Sequence, residues 1–259
     1  MGMLPHNRCL PALIMQIRLT VFRQQDDTEP RFQSYDLEVE AQTTLLDCLN
    51  RIKWEQDGTL AFRKNCRNAI CGSCAMRLND RPVLACKESI HSLLTWLDQT
   101  NQRFTGEFTV TPLGNLPVVK DLVVDMGPFW AGLNAVYPYL MNKRQGDLTA
   151  EFSQSPAQRA ALDQLSNCIL CGVCYSDCDA KKKNAEFVGP HALAKAHRLI
   201  ADNRDMAEKS RLEALGKDKQ GVWGCNNCRM CSDSCPTGVA PLAQIEALKI
   251  RLFDLMDPI

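Results

Sequence analysis

From Met15 the chain alternates apolar and polar residues, with Met15, Ile17, Leu19 and Val21 set against Gln16, Arg18 and Thr20. A period of two puts the apolar set on one side of an extended backbone and predicts a strand. Tyr35, Leu37 and Val39 alternate in the same way with Ser34, Asp36 and Glu38, which suits a strand paired with the first. The period then becomes helical. Thr44 and Asp47 fit a capping box, and Leu45, Leu46, Leu49 and Ile52 follow on one face. Cys48 lies beside that face and reads as a small buried residue. Met76 and Leu78, the turn pair Asn79-Asp80, and Val83 and Leu84 predict a short hairpin, and Ile90, Leu93, Leu94 and Leu97 a second helix.

Between residues 111 and 128 the chain holds Pro112, Gly114, Pro117, Gly127 and Pro128, which marks a connection. Beyond it strand signals fade. Leu193, Ala196, Leu199 and Ile200 form one helical face, and Ile245, Leu248, Leu252, Phe253 and Leu255 another. The expected fold class is α+β, with an N-terminal extension at 1–14, a mixed domain at 15–120 and a mostly helical domain at 121–259.

Net charge narrows the function. Thirty basic and thirty acidic side chains balance to zero, so no general attraction to nucleic acid is expected. No apolar run approaches the ~18 residues of a membrane span. The apolar stretch from Cys9 to Ile14 is short and lacks a small-residue cleavage site, so a signal peptide is not expected.

Fourteen cysteines without an export signal point to metal binding in a reducing compartment rather than to disulfides. Cys9 and Cys48 stand alone, and the other twelve form three groups of four. The first is Cys66, Cys71, Cys74 and Cys86. This is the plant-type ferredoxin spacing, in which a loop folds over a 2Fe-2S cluster and a later strand supplies the last thiolate. Gly72, between two of these ligands, lets backbone N-H groups approach the cluster sulfurs.

The second group is Cys168, Cys171, Cys174 and Cys178, and the third is Cys225, Cys228, Cys231 and Cys235 followed by Pro236. Both carry the bacterial ferredoxin spacing, whose fourth cysteine ligates the other cluster in two-cluster ferredoxins. On that logic Cys168, Cys171, Cys174 and Cys235 hold one 4Fe-4S cluster, and Cys178, Cys225, Cys228 and Cys231 hold the second. Structural zinc sites use two close cysteine pairs separated by a longer loop, so four thiols within eleven residues, twice over, fit zinc poorly.

The string Phe62-Arg63-Lys64-Asn65-Cys66-Arg67-Asn68-Ala69-Ile70-Cys71-Gly72-Ser73-Cys74-Ala75-Met76 resembles the 2Fe-2S loop of the iron-sulfur subunit family of succinate dehydrogenase and fumarate reductase. Pro117-Val118-Val119-Lys120-Asp121-Leu122-Val123-Val124-Asp125 is similar to that family's segment between domains, and Gly189-Pro190 and Cys235-Pro236 extend the match over nearly the whole chain after residue 15. The resemblance implies a plant-ferredoxin-like β-grasp domain followed by a helical bacterial-ferredoxin-like domain. It also implies a partner flavoprotein that holds FAD and oxidises succinate to fumarate, with electrons passing through the clusters in series toward quinone. Membrane anchor subunits would place the chain at the cytoplasmic face of a membrane. The chain lacks a Gly-rich dinucleotide fingerprint, so flavin and dicarboxylate chemistry are assigned to the partner.

Two departures from the family pattern bear on the acceptor. Most members lack a cysteine at the position of Cys228 and carry a terminal 3Fe-4S cluster. A thiolate there completes four ligands and predicts 4Fe-4S, the alternative being a 3Fe-4S cluster with Cys228 as a bystander. Family members also place proline and aromatic residues after the fourth cysteine and often histidine after the first cysteine of the third group. Here those places hold Asp179, the run Lys181-Lys182-Lys183, and Asn226. The lysines read first as a solvated face and second as a contact with a membrane surface or anchor subunit.

The leading function is therefore the electron-transfer subunit of a succinate:quinone oxidoreductase. The alternative is an iron-sulfur carrier that serves another flavoprotein or a non-quinone acceptor. His6, His91, His191 and His197 have no ligand-like partners and read as surface or packed residues, and Trp54, Trp96, Trp130 and Trp223 as core or interface.

Overall fold

The computed structural model describes residues 14–25, 28–142 and 151–256. Cys9, His6 and the rest of the expected extension before residue 14 lie outside the described residues. Strands β1 (Ile14–Arg23) and β2 (Arg31–Glu40) precede helix α1 (Leu45–Arg51) and a π-helical turn at Ile52–Gln56. The cysteine loop leads into β3 (Ala75–Leu78), β4 (Arg81–Leu84), α2 (Ile90–Gln99) and β5 (Glu107–Thr111). A small hairpin of β6 (Val118–Lys120) and β7 (Val123–Val124) leads to α3 (Gly127–Ala135). Then come α4 (Pro156–Ala160), α5 (Asp163–Ser166), α6 (Val173–Ser176), α7 (Asp179–Lys183), α8 (Pro190–Ile200), α9 (Glu208–Gly216), α10 (Met230–Asp233) and α11 (Pro241–Met256).

The first five strands form one mixed sheet in the order β2-β1-β5-β3-β4. Strand β1 pairs antiparallel with β2, opposing Leu19 to Tyr35, and parallel with β5, opposing Leu19 to Phe108. The apolar residues of the alternating pattern, Ile17, Leu19, Val21, Tyr35, Leu37 and Val39, are buried. They pack against Leu45, Leu46 and Leu49 of α1. Thr44 caps α1 through its hydroxyl, which accepts the Asp47 amide at 3.1 Å, while the Asp47 carboxylate accepts from Thr44, as the capping box predicts. Asn79 and Asp80 turn the β3-β4 hairpin with left-handed φ values of 46° and 61°, a conformation that short polar side chains tolerate.

The central strand β5 is the element the periodicity reading omitted. Phe108 and Val110 are buried and alternate with Glu107, Thr109 and Thr111, but the segment is short and its partners are distant in sequence. The hairpin of β6 and β7 also occupies the stretch read only as a connection.

A second core gathers Leu193, Ala196 and Ile200 of α8 with Ile245, Leu248 and Leu252 of α11. Phe253, expected on that stripe, is instead exposed and rests edge-on against Trp223 with ring centres 5.6 Å apart. One residue past Leu252 is about 100° around a helix, which turns Phe253 off the buried face. Of the tryptophans read as core or interface, Trp54, Trp130 and Trp223 are exposed on this chain, and Trp96 packs partly against the first core.

Candidate iron-sulfur centres

The loop between the π-helical turn and β3 carries Cys66, Cys71 and Cys74, and Cys86 follows β4. Its backbone turns inward because Arg67, Ala69 and Gly72 take left-handed φ values of 56°, 53° and 71°. Peptide N-H groups then face the sulfurs. Asn68 N and Cys71 N donate to Cys66 Sγ at 3.3 and 3.4 Å, Ala69 N to Cys86 Sγ at 3.3 Å, and Cys86 N to Cys74 Sγ at 3.5 Å. Ser73 Oγ donates to Cys71 Sγ at 3.3 Å. That hydroxyl, with loop amides, pulls the Cys71 thiol down to about 6, whereas burial pushes Cys74 up to about 12. Donors aimed at sulfur stabilise a more reduced cluster and raise its potential. The cysteine spacing did not single out Ser73.

The eight remaining cysteines divide between two cavities. Cys168, Cys171, Cys174 and Cys235 line one, together with Phe129, Val239 and His191. Cys178, Cys225, Cys228 and Cys231 line the other, with Phe187, Leu242 and Ile245. The chain brings together the exchanged sets that the spacing predicts: Cys235 crosses to the second loop's cavity and Cys178 to the third loop's. The surroundings are largely apolar. Burial pushes Cys171 and Cys178 to about 11 and Cys231 to about 12, and Cys174 well above the ordinary thiol range. Such thiols become thiolates only when a cationic metal group compensates the lost hydration, so the cavities fit iron-bearing clusters. Among the described residues no three His, Cys, Asp or Glu side chains come close enough to hold a single metal ion.

The two loops share a backbone. Leu170 and Gly172 flank Cys171 with φ 54° and 84°, and Asn227 and Arg229 flank Cys228 with φ 58° and 65°. Each loop runs into a four-residue helix, α6 or α10. Cys228 is exposed whereas Cys178 and Cys231 are buried.

His191, read from sequence as surface or packed, is buried on the first cavity's wall. Its ring stacks on Phe129 at 3.8 Å, and Nε2 donates to the Phe129 carbonyl at 2.9 Å. Burial and the charge of Lys181 outweigh that hydrogen bond and depress its pKa to about 4. His197 Nδ1 pairs with Gln244 at 2.9 Å, and His91 is exposed. The lysine run is divided: Lys182 and Lys183 are exposed, but Lys181 Nζ folds back onto the carbonyls of Ala185 and Phe187. Asp179 accepts from Lys183 at 2.7 Å and from Asn226 at 2.6 Å, joining α7 to the third cysteine loop.

Residues 17–131 match the 2Fe-2S iron-sulfur cluster binding domain family, and residues 164–239 match the 4Fe-4S dicluster domain family. Fold and sites together define a two-domain, multi-cluster iron-sulfur protein. Relatives match over almost the full length. The fumarate reductase iron-sulfur subunit of Haemophilus influenzae is 35% identical over 249 residues, covering 92% of this chain and 93% of that subunit. The equivalent subunit of Escherichia coli O157:H7 is 38% identical over 238 residues, 92% of each chain. The mitochondrial succinate dehydrogenase [ubiquinone] iron-sulfur subunit 2 of Oryza sativa subsp. japonica is 37% identical over 245 residues, covering 92% of this chain and 75% of that one. A chain of the Mycobacterium smegmatis Sdh1 complex superposes with a TM-score of 0.81 at 26% identity, covering 94% of this chain and 98% of that chain. The chain belongs to the succinate dehydrogenase/fumarate reductase iron-sulfur subunit family. Among the described residues no helix is long and apolar enough to cross a membrane.

Proposed function

We propose that the chain works between the FAD of a flavoprotein subunit and quinone in a succinate:quinone oxidoreductase, held by membrane anchor subunits at the cytoplasmic face of a membrane. The observation that carries this reading is the sorting of eight cysteines into two cavities, one from each exchanged set. In it, Cys66, Cys71, Cys74 and Cys86 hold 2Fe-2S, Cys168, Cys171, Cys174 and Cys235 hold 4Fe-4S, and Cys178, Cys225, Cys228 and Cys231 hold a second 4Fe-4S. The backbone that Cys228 shares with Cys171 supports four ligands at the last site. Bound clusters supply one-electron carriers. The protein's own residues hold them, donate hydrogen bonds to the ligand sulfurs and exclude water around Cys178 and Cys231. The dicarboxylate site lies in the flavoprotein, and this chain has none.

A second reading, with another flavoprotein or a non-quinone acceptor, draws on the polar cluster of Asp179, Lys183 and Asn226 beside the last cavity. Purification of the complex with its flavoprotein, followed by succinate addition under anaerobic conditions, tests the first reading. Electron paramagnetic resonance is expected to show reduced clusters. Clusters that all stay oxidised in succinate would sink it, and reduction of a soluble dye but not of quinone would favour the second.

A further inference from the structure

The first and second cysteine loops meet at a glycine. Gly72 has φ +71°, and a Cβ there would lie 2.9 Å from both Cα and Cβ of Cys171 and 3.2 Å from the Ile169 carbonyl oxygen. Two of those atoms are backbone, which cannot swing aside as the end of a long side chain can. Reaching an ordinary contact of 3.4 Å would require the loops to part by about half an ångström. The contact is embedded in packing. Val173 belongs to the first domain's buried core, as does Cys74, and Ile169, Cys171, Ala69 and Cys86 pack against that core. At one side of the junction Arg77 Nε reaches Asp177 Oδ1 at 3.3 Å. The loop that would hold the 2Fe-2S group and the loop that would hold the adjoining 4Fe-4S group therefore share one packed junction.

We propose that Gly72 is a positioning residue, a spacer whose missing side chain sets how closely the group held by Cys66, Cys71, Cys74 and Cys86 approaches the group held by Cys168, Cys171, Cys174 and Cys235. The inference rests on the ligand sets proposed above. Its consequence is electronic, because coupling between two centres falls steeply as they separate. The protein contains a control. Gly106 also has a left-handed backbone, φ +83°, but a Cβ there meets nothing within 4 Å. Gly72→Ala and Gly106→Ala thus impose similar backbone strain, and only the first pushes on Cys171.

The test uses the full chain in its purified complex, reduced by dithionite, and reads the microwave power at half-saturation of the 2Fe-2S resonance, which a reduced neighbouring cluster raises. Gly72→Ala is expected to retain a 2Fe-2S signal and lower that power, while Gly106→Ala matches the wild type. An unchanged half-saturation power in Gly72→Ala would overturn the proposal. So would loss of the 2Fe-2S signal in Gly72→Ala alone, because Gly72 would then serve only its own loop. If Gly72→Ala does not accumulate, Val173→Ala loosens the same junction from the other side. A fall of the same sign supports the spacer, and no fall overturns it. A wild-type protein without either cluster would instead refute the ligand sets.

Discussion

Cys171 and Cys228 occupy the same position in two loops of the same conformation, each between two residues with left-handed backbones. At the first loop one of those residues is Gly172, for which φ 84° carries no steric cost; at the second it is Arg229, held at φ 65°. A non-glycine residue there costs roughly 1–2 kcal/mol. The third loop keeps the conformation despite that cost, and it turns the Cys228 thiol to the same cavity as Cys178, Cys225 and Cys231.

Substitution of Cys228 by Ala is expected to change the terminal cluster from 4Fe-4S to 3Fe-4S, lowering bound iron from about ten to about nine atoms per chain. Electron paramagnetic resonance of the oxidised protein reads the outcome directly. The variant should show the signal of an oxidised 3Fe cluster that the wild type lacks. That signal in the air-free wild type would make Cys228 a bystander.

The exchanged ligands make the helical domain depend on its metal. Because Cys178 and Cys235 each cross to the other loop's cavity, stripping iron with a chelator after reduction should melt much of the helix in α6 to α11. Circular dichroism should show that loss, with Cys178→Ala and Cys235→Ala each disturbing both cavities. Unchanged helicity after complete iron removal would contradict the dependence.

The approach to Cys66 is anchored by a buried ion network. The Arg23 guanidinium bonds Asp121 at 3.0 Å, the Tyr35 hydroxyl at 2.6 Å, and Asp57, while the Asp121 carboxylate also accepts the Ala61 amide at 2.8 Å. Hydrogen bonds from Thr59, Tyr35 and Arg23 outweigh burial and hold the Asp57 carboxyl well below the usual range. Removing Asp121 takes from Arg23 one of its two carboxylates and from the Ala61 amide its acceptor, at a cost of about 1–3 kcal/mol. Asp121→Ala should lower stability by that order in thermal or denaturant unfolding and loosen the 2Fe-2S site. A loss below ~1 kcal/mol would show that the network is solvated.

His191 predicts a pH dependence. Its folded pKa of about 4 lies below the ordinary 6.5, so its contribution is full above pH 6.5. As the pH falls from 6.5 toward 4 the unfolded chain takes up a proton that the buried ring refuses, and stability declines. At about 1.4 kcal/mol per unit the total is roughly 3 kcal/mol. His191→Gln, which retains a donor for the Phe129 carbonyl, should flatten the fall in thermal midpoint between pH 6.5 and 5. Identical pH slopes in the two proteins would exclude His191 as the source.

Much of this protein is local and therefore legible. Period-two alternation marks β1 and β2, Thr44 and Asp47 start α1, and Asn79-Asp80 turns the hairpin, because each depends on neighbours within a few residues. The cysteine spacings likewise specify three ligand groups. What escaped depends on distant partners. Strand β5 exists because β1 and β3 supply its hydrogen bonds from about thirty to ninety residues away. Phe253 is likewise turned onto Trp223, about thirty residues earlier in the chain.

The chemistry of the sites is written in covalent order, since ligand type and spacing decide which groups a short loop can hold. The environment of those sites comes from long-range packing. Burial of His191 beside the first cavity, exposure of Cys228 at the second, and the contact of Gly72 with Cys171 all arise where segments far apart in the chain are packed to the density of a protein interior, and no local pattern encodes that proximity.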